Sequence, residues 1–277
     1  MTQTEIPPSG TGVPTFDGSM CDDMWRRGGR AVVSAVRNPF VWIPALLLLT
    51  LTLYFRFSDA DIVWLRPFFA GVEAGDRTID RWPMGLEYPW RAFYRLGVYP
   101  ALLLGFGGFV VWCGSFYRRS WEPYRDAGLF LFLLLLIGPG IVVNGILKPF
   151  WGRPRPNAVE EFGGPRVFLP VWQHGGGQIE SSFPSGHASM GFFLMAPAFI
   201  CYRRRPRLAF EFLLLGLVAG CSVGLARMVA GGHFPSDVLW AGGFVYFLGL
   251  MIAAPFRFGD DTPPFWKRGD GRTGESG

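Results

Sequence analysis

The sequence predicts an all-α, polytopic membrane protein with six transmembrane helices and both termini cytoplasmic. Three observations lead there. Half of the 277 residues are apolar, and they stand in long blocks rather than at the spacing of a soluble core. Arginine-rich runs flank those blocks, as the positive-inside rule expects of a membrane protein. Three polar clusters sit at block ends, where six crossings would bring all of them to one face.

The formal charge is +5, but the cations form no stripe with interleaved aromatics, so nucleic acid is not an expected partner and the bilayer is. Of the 26 basic residues only Lys148 and Lys267 are lysine, and one of them lies in a polar cluster. Cys113, Cys201 and Cys221 fall in or at the ends of apolar segments and Cys21 in the N-terminal tail, which gives neither a disulfide framework nor a Cys-x-x-Cys pair.

Residues 1–37 read as a cytoplasmic tail that turns basic at Arg26, Arg27, Arg30 and Arg37. They lack the charged start and apolar centre of a secretory signal, so the first apolar block is expected to remain as an anchor. That block, 40–55, is the first span; with its neighbours it approaches the ~20 residues needed to cross ~30 Å at 1.5 Å per residue. Residues 56–96 mix acids, among them Asp59 and Asp61, with Trp and Phe, as an outer loop with interfacial aromatics would.

The second span is 97–116, followed by Arg118, Arg119 and Arg125 inside. The third is 127–147, which Gly138-Pro139-Gly140 should bend. A polar, glycine-rich loop at 157–180 joins the first two clusters. The fourth span, 188–202, ends at Arg203, Arg204, Arg205 and Arg207, the densest basic run in the chain. The fifth and sixth are 208–226 and 238–256, which leaves 38–256 as a six-helix membrane domain and 257–277 as a second cytoplasmic tail.

The chemistry is concentrated in the clusters. In the first, Lys148 is followed by Arg153 and Arg155-Pro156. Cations at a membrane surface, one of them a planar fork, suit phosphate oxygens; taken alone they also read as snorkelling residues at a span end. In the second, Pro184-Ser185-Gly186 should turn the chain into a helix whose start favours an anion, with His187 beside it. In the third, Arg227 precedes His233, and Asp237 follows it by four residues. From the start of a helix near Pro235, the Asp237 carboxylate could hold one ring nitrogen of His233 and leave the other nucleophilic, or the pair could be a satisfied polar contact between helices.

Lys148-x6-Arg155-Pro156, Pro184-Ser185-Gly186-His187 and Arg227-x5-His233-x3-Asp237 together resemble the three-part signature of the type 2 phosphatidic acid phosphatase superfamily. The resemblance implies that His233 attacks phosphorus to form a phosphohistidine, that Asp237 orients it and supports its charge, and that His187 protonates the leaving oxygen and then activates water. Lys148, Arg155, Ser185, the Gly186 amide and Arg227 would hold the phosphoryl oxygens. No metal or cofactor is implied. Ala226 stands where the family usually has serine, which removes one hydroxyl from the expected site.

The expected substrate is a phosphorylated membrane lipid at the outer face of a bacterial inner membrane, with the site toward the periplasm. The long 157–180 loop leans the expectation toward lipid A or a related glycolipid, with undecaprenyl diphosphate, phosphatidylglycerophosphate or phosphotransfer between lipids as alternatives. A scaffold that had lost catalysis would not need His187, His233 and Asp237 intact. A transporter should carry ionisable residues in mid-span, and these spans are nearly free of them. His174, Glu160 and Glu161 read as exposed loop residues.

Overall fold

The structure, a computed structural model, describes residues 38–176, 181–256 and 258–259. Both predicted tails lie outside them, apart from residues 258 and 259. The chain divides into two compact units, Met1–Leu46 and Leu47–Gly277. Of the first, the described part is the start of one helix; the rest of the fold belongs to the second.

Among the described residues the protein is all-helical, with a single isolated bridge between Val159 and Arg166. Helix α1 is Pro39–Phe57. Helix α2, Tyr99–Gly114, follows Trp90–Leu96 after a two-residue turn. Helix α3, Arg125–Leu135, runs into a π-helical stretch, Leu136–Leu147, and ends as Lys148–Trp151. Helix α4, Gly186–Phe192, continues through a 3-10 turn, Phe193–Met195, into α5, Ala196–Cys201. Helices α6, Pro206–Val229, and α7, Pro235–Ala253, each open on a proline whose missing N–H costs nothing there.

Among the described residues, five helical stretches are long and apolar enough to cross a membrane: Pro39–Phe57, Trp90–Gly114, Arg119–Ala158, Pro206–Val229 and Pro235–Ala253. Their outer faces are apolar: Leu103, Phe210 and Met251 are 75%, 66% and 69% exposed, which suits lipid and not water. The expected fourth span is also helical, but as the shorter apolar stretch Gly186–Cys201. Its side chains explain the difference. Ala188, Phe193 and Ala196 are fully buried, so this stretch is packed among its neighbours and its length is not set by the bilayer.

At Gly138-Pro139-Gly140, where a bend was expected, the helix takes π turns over Leu136–Leu147. Small residues let helices touch. A Cβ on Gly108 would lie 2.7 Å from the Gly128 carbonyl oxygen, and one on Gly128 2.5 Å from that of Gly108, so the α2 and α3 backbones are in contact.

Two expectations about loops are corrected. Trp82, read as an interfacial aromatic, is buried, and so is Phe162 of the supposedly polar 157–180 loop; their rings stand 5.1 Å apart edge to face, with Phe69 against both. The two loops therefore share a small aromatic core. Gly231, at φ +64, approaches Trp82 so closely that a Cβ would sit 2.6 Å from the indole.

Candidate active site

The three polar clusters meet at the ends of these helices. Main-chain bonds tie each pair: Ser182 N–H donates to the Arg153 carbonyl at 2.8 Å, Ser185 N–H to the Asp237 carbonyl at 3.2 Å, and Asn157 N–H to the Gly231 carbonyl at 3.0 Å. The C-terminal ends of the α3 rod and of α6 thus face the starts of α4 and α7.

Ser185 caps α4, its Oγ accepting the Ala188 N–H at 3.4 Å. Gly186 is required by closeness to the α3 rod, since a Cβ there would lie 2.2 Å from Asn144 Oδ1. Asn144 is itself fixed by donating from Nδ2 to the Pro139 carbonyl at 2.7 Å. His187, one residue into α4, is half-buried and within electrostatic reach of Arg227, His233, Lys148 and Arg155. The five expected phosphate ligands, Lys148, Arg155, Ser185, Gly186 and Arg227, and both motif histidines therefore gather in one place.

His233 is 1% exposed, and its Nδ1 lies 2.6 Å from the Ser182 carbonyl oxygen and 3.7 Å from Asp237 Oδ2. A carbonyl can only accept, so Nδ1 carries the hydrogen and Nε2 keeps its lone pair. The ring is thus held directly by the Ser182 carbonyl, a contact the sequence did not foretell, with the Asp237 carboxylate further off on the same nitrogen. The carboxylate of Asp237 is engaged elsewhere. Its Oδ2 accepts the Phe234 N–H at 2.8 Å in the first turn of α7, and its Oδ1 accepts from Arg153 Nη1 at 2.5 Å. Burial pulls His233 down to about 4, helped by Arg227 and Lys148 and opposed by Asp237, so the ring is neutral at ordinary pH.

Arg153, counted with the phosphate cations in the sequence, has a different place. It is fully buried and spends its donors inside the protein: Nη1 on Asp237 and on Ser236 Oγ at 2.8 Å, Nη2 on Asp61 Oδ2 at 2.7 Å, Nε on the Leu169 carbonyl at 2.8 Å. Its guanidinium also lies 4.4 Å from the centre of the Phe234 ring. Asp61 completes the network, taking the Ser236 N–H on Oδ1 at 3.0 Å and the Ser236 hydroxyl on Oδ2 at 2.6 Å. Burial pushes the Asp61 carboxyl up, against the attraction of Arg153.

Sequence reasoning missed Asp61, Ser236 and the Ser182 carbonyl. The only local sign of Asp61's burial is that it stands among Ala60, Ile62 and Val63.

Arg155 and Arg227 contrast with Arg153. Each has a buried Nε with no hydrogen-bond partner among the described residues. Arg227 also lies over the Tyr94 ring at 4.4 Å, and that ring is 5.1 Å from the His187 ring. Beside them opens a cavity of about 470 Å³ lined by Tyr94, Arg95, Leu96, Val98, Tyr99 and His187. Ala226 is buried and, as the sequence implies, offers no hydroxyl. His174, Glu160 and Glu161 are exposed, and none joins the site. Guanidinium donors without acceptors among the described residues, a nearby lysine and a neutral imidazole with a free lone pair have the chemistry to hold a tetrahedral oxyanion next to a nucleophile.

Comparison with known proteins agrees with this chemistry. The PAP2 superfamily profile matches residues 128–259. The chain is 45% identical over 133 residues to a lipid A 4'-phosphatase of Francisella tularensis subsp. novicida, covering 47% of this chain and 59% of that protein. It is 29% identical over 239 residues to a lipid A 4'-phosphatase of Rhizobium etli, 78% of this chain and 90% of that protein. It is 29% identical over 193 residues to phosphatidylglycerophosphatase B of Bacillus subtilis, 65% of this chain and 81% of that protein. All three motifs, from Lys148 to Asp237, lie within the stretch that matches the PAP2 superfamily.

Proposed function

We propose that this protein is an integral membrane lipid phosphatase that works through a phosphohistidine. The observation that carries the reading is the pair of buried, unpartnered guanidinium nitrogens of Arg155 and Arg227 beside His187 and His233. They are donors that a phosphoryl group would satisfy.

The lipid phosphate sits among Lys148, Arg155, Arg227, the Ser185 hydroxyl and the Gly186 amide, which stabilise charge on the equatorial oxygens as it develops. His233 Nε2 forms the N–P bond as the P–O bond to the lipid breaks, and His187 delivers a proton to the leaving oxygen. The bound phosphoryl dianion offsets the cations around His187 and helps it hold that proton. Water then attacks phosphorus, giving its proton to His187; the N–P bond breaks and inorganic phosphate leaves. Asp237, 3.7 Å from His233 Nδ1, supports the positive charge of the phosphorylated ring. The three fixed cations take the part that a metal ion plays in other phosphatases.

The leaving lipid occupies the cavity on the His187 side, lined by Tyr94 and Arg95. The chain crosses the membrane six times with both termini cytoplasmic. The site then faces the periplasm of a bacterial inner membrane, and the basic runs after α2 and α5 lie inside. The substrate is a lipid A-type phosphate, which the two lipid A 4'-phosphatase relatives and the long 157–180 loop support. The Bacillus subtilis relative favours a second reading, phosphatidylglycerophosphate, with undecaprenyl diphosphate or a lipid acceptor of phosphate as further variants.

Phosphate release by the detergent-purified protein tests the function. The panel is lipid A, phosphatidylglycerophosphate, undecaprenyl diphosphate and phosphatidic acid, with and without chelator, beside His233→Ala. Chelator-resistant release, greatest from lipid A and lost in the variant, is the expected result. Release that chelator abolishes contradicts the metal-free mechanism, and preference for another lipid replaces the substrate.

A further inference from the structure

The four side chains Asp61, Arg153, Ser236 and Asp237 are fully buried and bonded to one another, yet none of them reaches the unpartnered donors of Arg155 and Arg227. Their charges do not cancel. One guanidinium faces two carboxylates, so with both ionised the network holds a net negative charge beside His233. A guanidinium and a single carboxylate would have held Asp237 in place equally well and left it almost neutral as seen from the imidazole. Asp61, joined to Arg153 across 92 positions of sequence, is the group that changes this.

We infer that Asp61 and Arg153 are positioning residues for the nucleophile: Arg153 fixes the Asp237 carboxylate, and Asp61 offsets the guanidinium so that Asp237 acts on His233 with its full charge. The inference rests on His233 as the nucleophile. As His233 Nε2 bonds to phosphorus the ring becomes cationic, while Nδ1–H stays on the Ser182 carbonyl, which can orient but carries no charge. Stabilising that cation falls to the carboxylate at 3.7 Å, and the strength of that carboxylate depends on what Arg153 is paired with.

Three donors reach Asp61: the Ser236 N–H, the Ser236 hydroxyl and Arg153 Nη2. All favour its ionised form, against burial and the charge of Asp237, which push its carboxyl up. The other charges facing His233 are Arg227 on α6, Lys148 at the end of the α3 rod, and His187 on α4 with Arg155 beside it. All of these are present in the variants below, so differences report the network.

The test is an NMR titration of the ¹³C-labelled histidines in detergent without substrate, with the His233 resonance assigned by its loss in His233→Gln, alongside kcat on the best substrate. Asp61→Asn removes a negative charge in an isosteric frame. The His233 midpoint should fall by about one pH unit, as expected for one charge at this range, and kcat should drop about tenfold with KM little changed. Arg153→Gln removes the positive charge, and the midpoint should move the other way. Ser236→Ala breaks bonds to both partners without changing charge, so its midpoint should stay near that of the parent.

Midpoints unmoved in Asp61→Asn, or shifted in the same direction by Asp61→Asn and Arg153→Gln, overturn the inference. So does a Ser236→Ala shift as large as that of Asp61→Asn, because loosened geometry would then account for all three. If Arg153→Gln does not fold, Asp61→Asn and Ser236→Ala still decide it. A wrong nucleophile is distinguishable: the midpoints would move while kcat did not follow.

Discussion

Arg153 and Arg155 are two residues apart on one loop, and they face opposite surroundings. Arg153 is fully buried with acceptors for each of its three nitrogens, two of them carboxylates. Arg155 keeps a buried Nε with none. The same side chain neutralises buried acids in one case and keeps a donor open in the other. The difference comes from partners distant in sequence and not from the loop itself.

The largest contrast should come from removing each guanidinium. Arg153→Met leaves two buried carboxylates unpaired and should cost about 3–5 kcal/mol of stability, seen as a large drop in thermal midpoint in detergent. Arg155→Met removes a charge that the fold does not use, so the thermal midpoint should hold while kcat/KM falls by about 10²–10³. Equal stability losses in the two variants would break the comparison.

Lysine sharpens it. A lysine can keep the charge of Arg155 toward phosphate, and Arg155→Lys should retain activity to within about tenfold to a hundredfold, with the loss in kcat/KM. Arg153→Lys cannot span Asp61, Ser236 and Asp237 with one ammonium, and should lose stability by about 2 kcal/mol or more.

His233 is buried as the neutral ring, with its pKa brought down from 6.5 to about 4. The unfolded chain therefore takes up this proton more readily. Stability that is fully present above pH 6.5 is lost as pH falls toward 4, by on the order of a few kcal/mol. Chemical unfolding followed between pH 7.5 and pH 4.5 should show the decline, and His233→Gln should reduce it, the remainder coming from His187, which burial also brings down to about 4.

The smallest effect is expected at another pair two residues apart. Asp61 is buried in the network, whereas Asp59 is exposed. Asp59→Asn should change stability by no more than about 0.5 kcal/mol and leave kcat/KM alone.

Much of the site was legible because its parts are side chains at fixed spacing. Lys148, Arg155, Ser185, Gly186, His187, Arg227 and His233 all fall where the three motifs place them, at the helix ends that hydropathy had marked. What stayed hidden has no side-chain signature. The Ser182 carbonyl that holds His233 is a backbone atom. The demotion of Arg153 depends on Asp61, which looks like the other acids of its segment until the fold buries it.

The helices show the same division. Long apolar blocks bounded by arginine predicted α1, α2, α6 and α7 closely, because burial in lipid demands nothing but length and apolarity. The α4–α5 stretch came out shorter, because packing against its neighbours sets its length. At Pro139 the sequence marks a disturbance but not its form, which is a stretch of π turns.

The account stands on His233 as the phosphorylated residue. Incubating the protein with ³²P-labelled lipid phosphate, quenching within milliseconds and mapping the label should give an acid-labile, base-stable phosphoenzyme on the peptide containing His233. The label should vanish in His233→Ala and build up in His187→Ala with a substrate whose leaving group needs no proton. Label on any other residue, or turnover with no phosphoenzyme on the millisecond scale, would contradict it.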